Sequence, residues 1–170
     1  MKDNIYVTFR YNNTLGGLQD IVFDDITKRI AILENPSEYE VGLTNLFIKT
    51  PPAGSQSPSS GSFSSIAVMS NSIGVREQFT NNVENNLEPI IGLIQYGPSG
   101  STFPSYTVGY IQFPGLFNTG EVKYRDIINS SPLYRLNLSI KAVLRNGSYQ
   151  NFEGNGTSHA SVTLHFRRKK

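Results

Sequence analysis

Between Leu133 and Gly147 the chain reads LYRLNLSIKAVLRNG, its clearest run of two-residue alternation. Leu136, Leu138, Ile140, Ala142 and Leu144 fall on one side, and Arg135, Asn137, Ser139 and Lys141 on the other. Only an extended backbone sends successive side chains to opposite faces, so a period of two predicts a strand with one face buried and one wet. The run closes in Asn146-Gly147. That pair is a strong hairpin signal, because both central positions of a type I′ turn need positive φ. A return strand then starts at Ser148 and breaks at EGNG, residues 153–156.

The same period recurs along the chain. Ile5, Val7 and Phe9 alternate with Tyr6, Thr8 and Arg10, and a short extended piece is expected over Leu18 to Phe23. Ile30 and Ile32 carry the pattern to a turn at Asn35-Pro36-Ser37. Tyr39, Val41 and Leu43 then alternate with Glu40, Gly42 and Thr44, but strict alternation is lost over Asn45 to Ile48. Such a loss predicts a strand covered on both faces. Further strands are expected at Ile66–Met69, Ile90–Tyr96, Tyr106–Phe113 and Glu121–Asp126. Residues 51–65, PPAGSQSPSSGSFSS, lack the apolar content to order themselves and read as an exposed loop. Residues 76–88 are either the one helix or a long irregular loop, their Asn pairs arguing against the helix. The last ten residues, SVTLHFRRKK, alternate Val162, Leu164 and Phe166 with Ser161, Thr163 and His165, then run into four bases.

Eight to ten strands without a βαβ rhythm predict an all-β fold, a two-sheet antiparallel sandwich in one domain. Composition agrees. Charged residues are 16% of the chain, against about 25% in typical globular proteins. Ser, Asn, Gly and Thr take their place and favour turns and polar strand faces over long helices. A net charge of +2 is too small to make the whole surface a nucleic-acid platform. With no cysteine, disulfides, thiolate catalysis and thiolate metal sites are excluded. The first residues, MKDNIYVTFRYNN, lack the apolar stretch of a signal peptide. IIGLI, residues 90–94, is far too short to span a membrane. N-x-S/T patterns begin at Asn12, Asn129, Asn137, Asn146 and Asn155, and in so Asn-, Ser- and Thr-rich a chain they are chance matches, left unglycosylated.

Catalytic and ligand motifs are missing from the sequence. His159 and His165 share a strand face but lie about 20 Å apart when extended, too far for one metal ion. No catalytic residue, metal site or cofactor is expected. Gly97-Pro98-Ser99-Gly100 lacks the spacing of a nucleophile elbow. Glu34, Glu38, Glu40, Glu84 and Glu88 are scattered carboxylates with no sign of convergence. The basic run Arg167, Arg168, Lys169 and Lys170 has two readings. It is either a frayed, solvated end or an electrostatic contact with phosphate or a neighbour's carboxylates. On either reading its removal leaves folding stability nearly unchanged, since exposed terminal charges contribute little.

Three segments carry a resemblance to a known family. ENPSEYEVGLTNLFI (34–48) resembles the polar turn and [WY]-E-V-x-L stretch near the start of penton (minor capsid) proteins of virophages, Polinton-like viruses and adintoviruses. VMSNSI (68–73) resembles their short strand-plus-Asn element. The C-terminal third, EVKYRDIINSSPLYRLNLSIKAVLRNGSYQNFEGNGTSHASVTLHFRRKK, is similar to the family's ending, with a last strand of the form V-x-L-H-F-R-R. Asn146-Gly147 stands where the family has a longer acidic turn, the 51–65 loop is outside the pattern, and residues 75–118 match only loosely.

The resemblance implies a single jelly roll over residues 1–170 and no enzymatic activity. It implies a homopentamer at the fivefold vertices of an icosahedral double-stranded DNA virus, made in the host cytoplasm and located in the virion. A double jelly-roll major capsid protein would be its partner, and Arg167 to Lys170 would meet packaged DNA or an acidic neighbour. The rival reading is a receptor- or carbohydrate-binding jelly-roll module, such as a viral fibre head or a lectin. Its sugar platform would be Tyr96, Tyr106, Tyr110 and Phe113. A glycan-acting enzyme would require two of the carboxylates to converge.

Overall fold

β10 (Ser158–Arg168), the strand that carries VTLHFRR, lies between β1 (Asn4–Asn13) and β3 (Tyr39–Lys49). This placement sets the topology. The structure is a computed structural model that describes residues 4–13, 18, 21–30, 34–49, 63–74, 89–95, 110–113, 122–152 and 158–170. The other described elements are β2 (Ile21–Asp24), one turn of helix α1 (Ile26–Arg29), a 3₁₀ turn (Pro36–Glu38) and β4 (Phe63–Met69). They continue with β5 (Ile90–Gln95), β6 (Tyr110–Phe113), β7 (Tyr124–Asp126), β8 (Arg135–Leu144) and β9 (Tyr149–Asn151).

One sheet has the order β1-β10-β3-β6, with β7 also on β3; the other has β2-β8-β4-β5, with β9 also on β8. β6 pairs with residues 46–49 of β3 and β7 with residues 40–42, so the two share one edge of that strand. Every pairing is antiparallel. This is the strand order of a single jelly roll, two Greek keys wrapped into a two-sheet sandwich. The all-β expectation holds.

The core is built as the alternation predicts. Leu136, Leu138, Ile140 and Ala142 of β8 face Val162, Leu164 and Phe166 of β10 across one cluster, with Val41, Leu46, Ile48, Ile66 and Val68 among its other members. The β8–β4–β5 sheet is also covered on its far side, where Ala67, Met69 and Ile90 form a second buried cluster with Val143 and Tyr149. VMSNSI has a structural task at the rim of this sheet. The Asn137 N–H donates to Ser72 Oγ at 2.7 Å, the Ile73 N–H to Ser70 Oγ at 3.3 Å, and the Ile128 N–H to the Gly74 carbonyl at 2.8 Å. These bonds tie the turn after β4 to the chain entering β8.

Four expectations are corrected. First, alternation fails in β3 because of a bulge. Thr163 sits opposite Asn45 and Leu164 opposite Leu43, leaving Thr44 as the extra residue, its hydroxyl donating to the Thr163 carbonyl at 3.0 Å. Val41, Leu46 and Ile48 all point inward while Asn45 is exposed, so the inserted residue, and not two-sided burial, shifts the pattern.

Second, Asn146-Gly147 does not form a type I′ turn. Gly147 has φ 86, but Asp25 is the only non-glycine with positive φ among the described residues. The Gly147 N–H donates to the Leu144 carbonyl at 2.9 Å and the Leu144 N–H to the Ser148 carbonyl at 2.8 Å. That is a three-residue loop ending in a glycine bulge. The Asn146 carboxamide oxygen accepts from both the backbone and the hydroxyl of Ser148, which holds Asn146 in a local turn of its own.

Third, β4 begins at Phe63, inside the span read as a loop; residues 51–62 lie outside the described residues. Fourth, α1 supplies a helical turn at Ile26–Arg29, although residues 76–88 are the one helix candidate in the sequence. The 76–88 segment and residues 96–109 also lie outside the described residues.

Candidate assembly surface

The outer face of the β1-β10-β3-β7 end is organised in rows. Register places Tyr6 opposite His165, His165 opposite Gly42, and Gly42 opposite Tyr124, one residue from each strand. The next row out is Asn4, Arg167, Glu40 and Asp126. Because alternate residues share a face, these eight side-chain positions form one patch.

His165 is its centre. The imidazole is buried although it points away from the core, because Tyr6 stacks on it with ring centroids 4.0 Å apart and planes at 7°. Tyr124 packs edge-on from the other side. Gly42, between them, has no side chain to keep the Tyr124 ring from crossing its strand. The Tyr124 hydroxyl lies 2.5 Å from His165 Nδ1, and Asn4 Oδ1 lies 3.1 Å from Nε2. An amide oxygen only accepts, so Nε2 carries the hydrogen and Nδ1 accepts from the phenol. Burial, then the Arg167 charge, holds the His165 pKa below its ordinary value. Burial raises that of Tyr124, partly offset by Arg167.

The basic residues lie beside this row, and they are not a stub beyond the strand. Arg167 and Arg168 are the last two residues of β10. Arg167 Nε donates to Glu40 at 2.6 Å while its guanidinium lies 3.6 Å above the Tyr124 ring. Arg168 donates to Glu38 at 3.0 Å. The Lys169 N–H donates to the Glu38 carbonyl at 2.9 Å, and its ammonium to the Ile127 carbonyl at 3.0 Å with Asp126 3.9 Å away. Three cations therefore meet three carboxylates along one rim, and Lys170 stays exposed beyond them. Each exposed pair contributes only about 0–1 kcal/mol.

The sequence singled out the four bases and the two histidines but missed Tyr6, Glu38, Glu40, Gly42, Tyr124 and Asp126 as their partners. Arg167 and Glu40 are 127 positions apart, and no local pattern connects them. His159 bonds Asn12 at 2.6 Å, near the other end of β10. Among the described residues no group of three or more His, Asp or Glu is placed to hold a metal ion. Of the carboxylates considered for catalysis, Glu38 and Glu40 each engage an arginine; Glu84 and Glu88 lie outside the described residues. So do Tyr96 and Tyr106 of the sugar platform, and the side chains of Tyr110 and Phe113. No helix among the described residues is long and apolar enough to cross a membrane.

No protein-family model matches the chain, and no curated protein does. Among solved structures it is similar to the mavirus penton protein, at 17% identity and TM-score 0.48 over 64% of this chain and 35% of that one. It is also similar to a chain of the Sputnik virophage particle, at 20% identity and TM-score 0.46 over 64% of this chain and 30% of the other. The match thus spans about a third of the length of each of these chains. A turnip yellow mosaic virus chain aligns over 98% of this chain and 93% of its own, at 12% identity and TM-score 0.29.

Proposed function

We propose that the chain is a structural capsid subunit, the homopentameric penton at the fivefold vertices of an icosahedral double-stranded DNA virus. A jelly roll hosts many functions, so the fold alone does not decide. The observation that carries the reading is where the family-like last strand lies. The V-x-L-H-F-R-R strand sits between β1 and β3 in jelly-roll order, with its apolar residues in the core. Its His and first Arg form an ordered outer patch with residues of EYEVG, from the first family-like segment, and of KYRD, near the start of the same C-terminal third.

A cyclic ring needs a rigid body with two different, complementary faces, joined head to tail. The sandwich supplies the body, and the β1-β10-β3-β7 rim supplies a polar contact surface. A double jelly-roll major capsid protein is the neighbour outside the ring. Arg167, Arg168, Lys169 and Lys170 serve assembly in this reading, the first three by holding the rim in shape for that neighbour and Lys170 by reaching it. Contact of the same four residues with packaged DNA would require three of them to leave their carboxylates. The subunit is located in the virion and made in the host cytoplasm, a setting that suits a chain without cysteine.

Native mass spectrometry of the full chain, with class averages of particles containing it, tests the proposal. A fivefold ring, free or at the vertices, supports it. An obligate dimer or trimer in the particle overturns it. Retention on a glycan array by a chain that never enters particles would favour the carbohydrate-binding reading instead.

A further inference from the structure

We infer that His165 is an acid-sensitive latch whose protonation releases the Asn4–Tyr6 end of β1 from the sheet. The latch follows from geometry and does not depend on the capsid reading. Two of the three side chains that hold the imidazole, Asn4 and Tyr6, belong to the first three residues of β1. Among the described residues β1 pairs only with β10. Tyr6 is 65% exposed, so the ring stacked beneath it is its main anchor.

The neutral ring is fully bonded. Its Nε2–H donates to Asn4, and its Nδ1 accepts from Tyr124. Protonation places a hydrogen on Nδ1, where the phenol hydrogen already points. The phenol must then turn its hydrogen away and find another acceptor. The charge would also form in a buried site, beside the Arg167 guanidinium that lies on the Tyr124 ring.

The charged and titratable groups facing the imidazole are Tyr6 from β1, Glu40 from β3, Tyr124 from β7 and Arg167 from β10. Glu40 is the only anion among them, and Arg167 already binds it at 2.6 Å. Stacking of the imidazolium on Tyr6 recovers part of the loss. Burial outweighs it, in line with a pKa held down by burial first and Arg167 second.

A histidine with a lowered folded pKa binds the proton better once the site opens. The latch is therefore fully closed above the ordinary value of 6.5, and closure weakens as pH falls through 6.5 toward the folded value.

Amide hydrogen exchange, corrected for its intrinsic pH dependence, tests the latch at about pH 7.5 and about pH 5. Protection at residues 4–7 should fall between these two pH values, by about thirtyfold at most, the limit set at pH 5 by the ordinary value of 6.5. Protection at residues 10–12 should change much less. His165→Phe keeps a ring under Tyr6 but cannot take a proton, and should make protection at residues 4–7 independent of pH. Tyr124→Phe keeps the imidazole but removes the phenol hydrogen bond, and should shrink the pH effect. Equal protection at both pH values in the wild type overturns the latch, as does a full pH effect in His165→Phe. If His165→Phe does not fold, His165→Gln decides, since it can hydrogen-bond but takes no proton: a pH effect as large as the wild type's overturns the latch.

Discussion

Gly42 shows how closely the outer patch is fitted. A Cβ at this position would stand 2.5 Å from Val122 Cγ1, closer than carbon atoms pack, and 3.1 Å from Tyr124 Cδ1, tighter than an ordinary contact. Gly42→Ala should therefore cost about 1–3 kcal/mol, the usual range for overpacking. Val122→Ala should recover part of the loss, and a double-mutant cycle read by urea unfolding measures that coupling. Recovery would confirm that Val122, and not the backbone of β3, sets the limit. In the core, Leu138 is fully buried between the sheets while Ser139 points to the opposite face. Leu138→Ala should cost about 2–5 kcal/mol, from lost transfer energy and the cavity left behind. Ser139→Ala should stay within about 0.5 kcal/mol. Equal costs would show that the register of β8 is wrong.

At the scale of the element, β10 separates charge from backbone. The expectation that residues 167–170 can be removed without effect does not fit a strand in which Arg167 and Arg168 occupy ladder positions opposite Glu40 and Tyr39. Replacing all four bases by Gln keeps the ladder and removes ion pairs worth about 0–1 kcal/mol each, so melting should shift by only a few degrees. Truncation after Phe166 also removes ladder bonds and the Lys169 N–H bond to the Glu38 carbonyl. It should destabilise clearly more than the Gln variant, as thermal melting of the two would show. Equal shifts would reduce the segment to its charge. High salt should narrow the gap between the wild type and the Gln variant while leaving the truncation defect in place.

For the whole molecule, the His165 environment predicts a pH-dependent stability. The unfolded chain binds the His165 proton more readily than the folded one, so stability from this group is complete above pH 6.5 and declines as the solution is acidified below it. Other groups titrate as well, so the useful quantity is the difference between wild type and His165→Phe. The wild type should lose more melting temperature than the variant between neutral and mildly acidic pH. Parallel profiles would show that His165 has no part in acid sensitivity. The jelly-roll order explains why one imidazole reaches so far. It places β10 between β1 and β3, so a single residue touches both neighbouring strands and, across Gly42, a third.

Local backbone geometry made much of the fold legible in the sequence. A period of two is a property of any extended strand, so Leu136, Leu138, Ile140, Val162, Leu164 and Phe166 could be assigned to the core without knowing the partners of β8 or β10. The bulge at Thr44 was visible only as lost alternation. An inserted residue and two-sided burial produce the same local pattern, and the register against β10 was needed to separate them. Asn146-Gly147 marked the hairpin correctly but not its loop type, because the Ser148 contacts that hold Asn146 depend on the conformation of the loop. The basic run was equally plain to see, and its meaning was not. Charge in a sequence carries no direction, and the carboxylates that neutralise these bases lie up to 130 positions away. His165 is the sharpest case. The alternation assigns it to a wet face, and only the arrival of Tyr6 and Tyr124 from two other strands buries it, while Asn4 fixes where its proton sits.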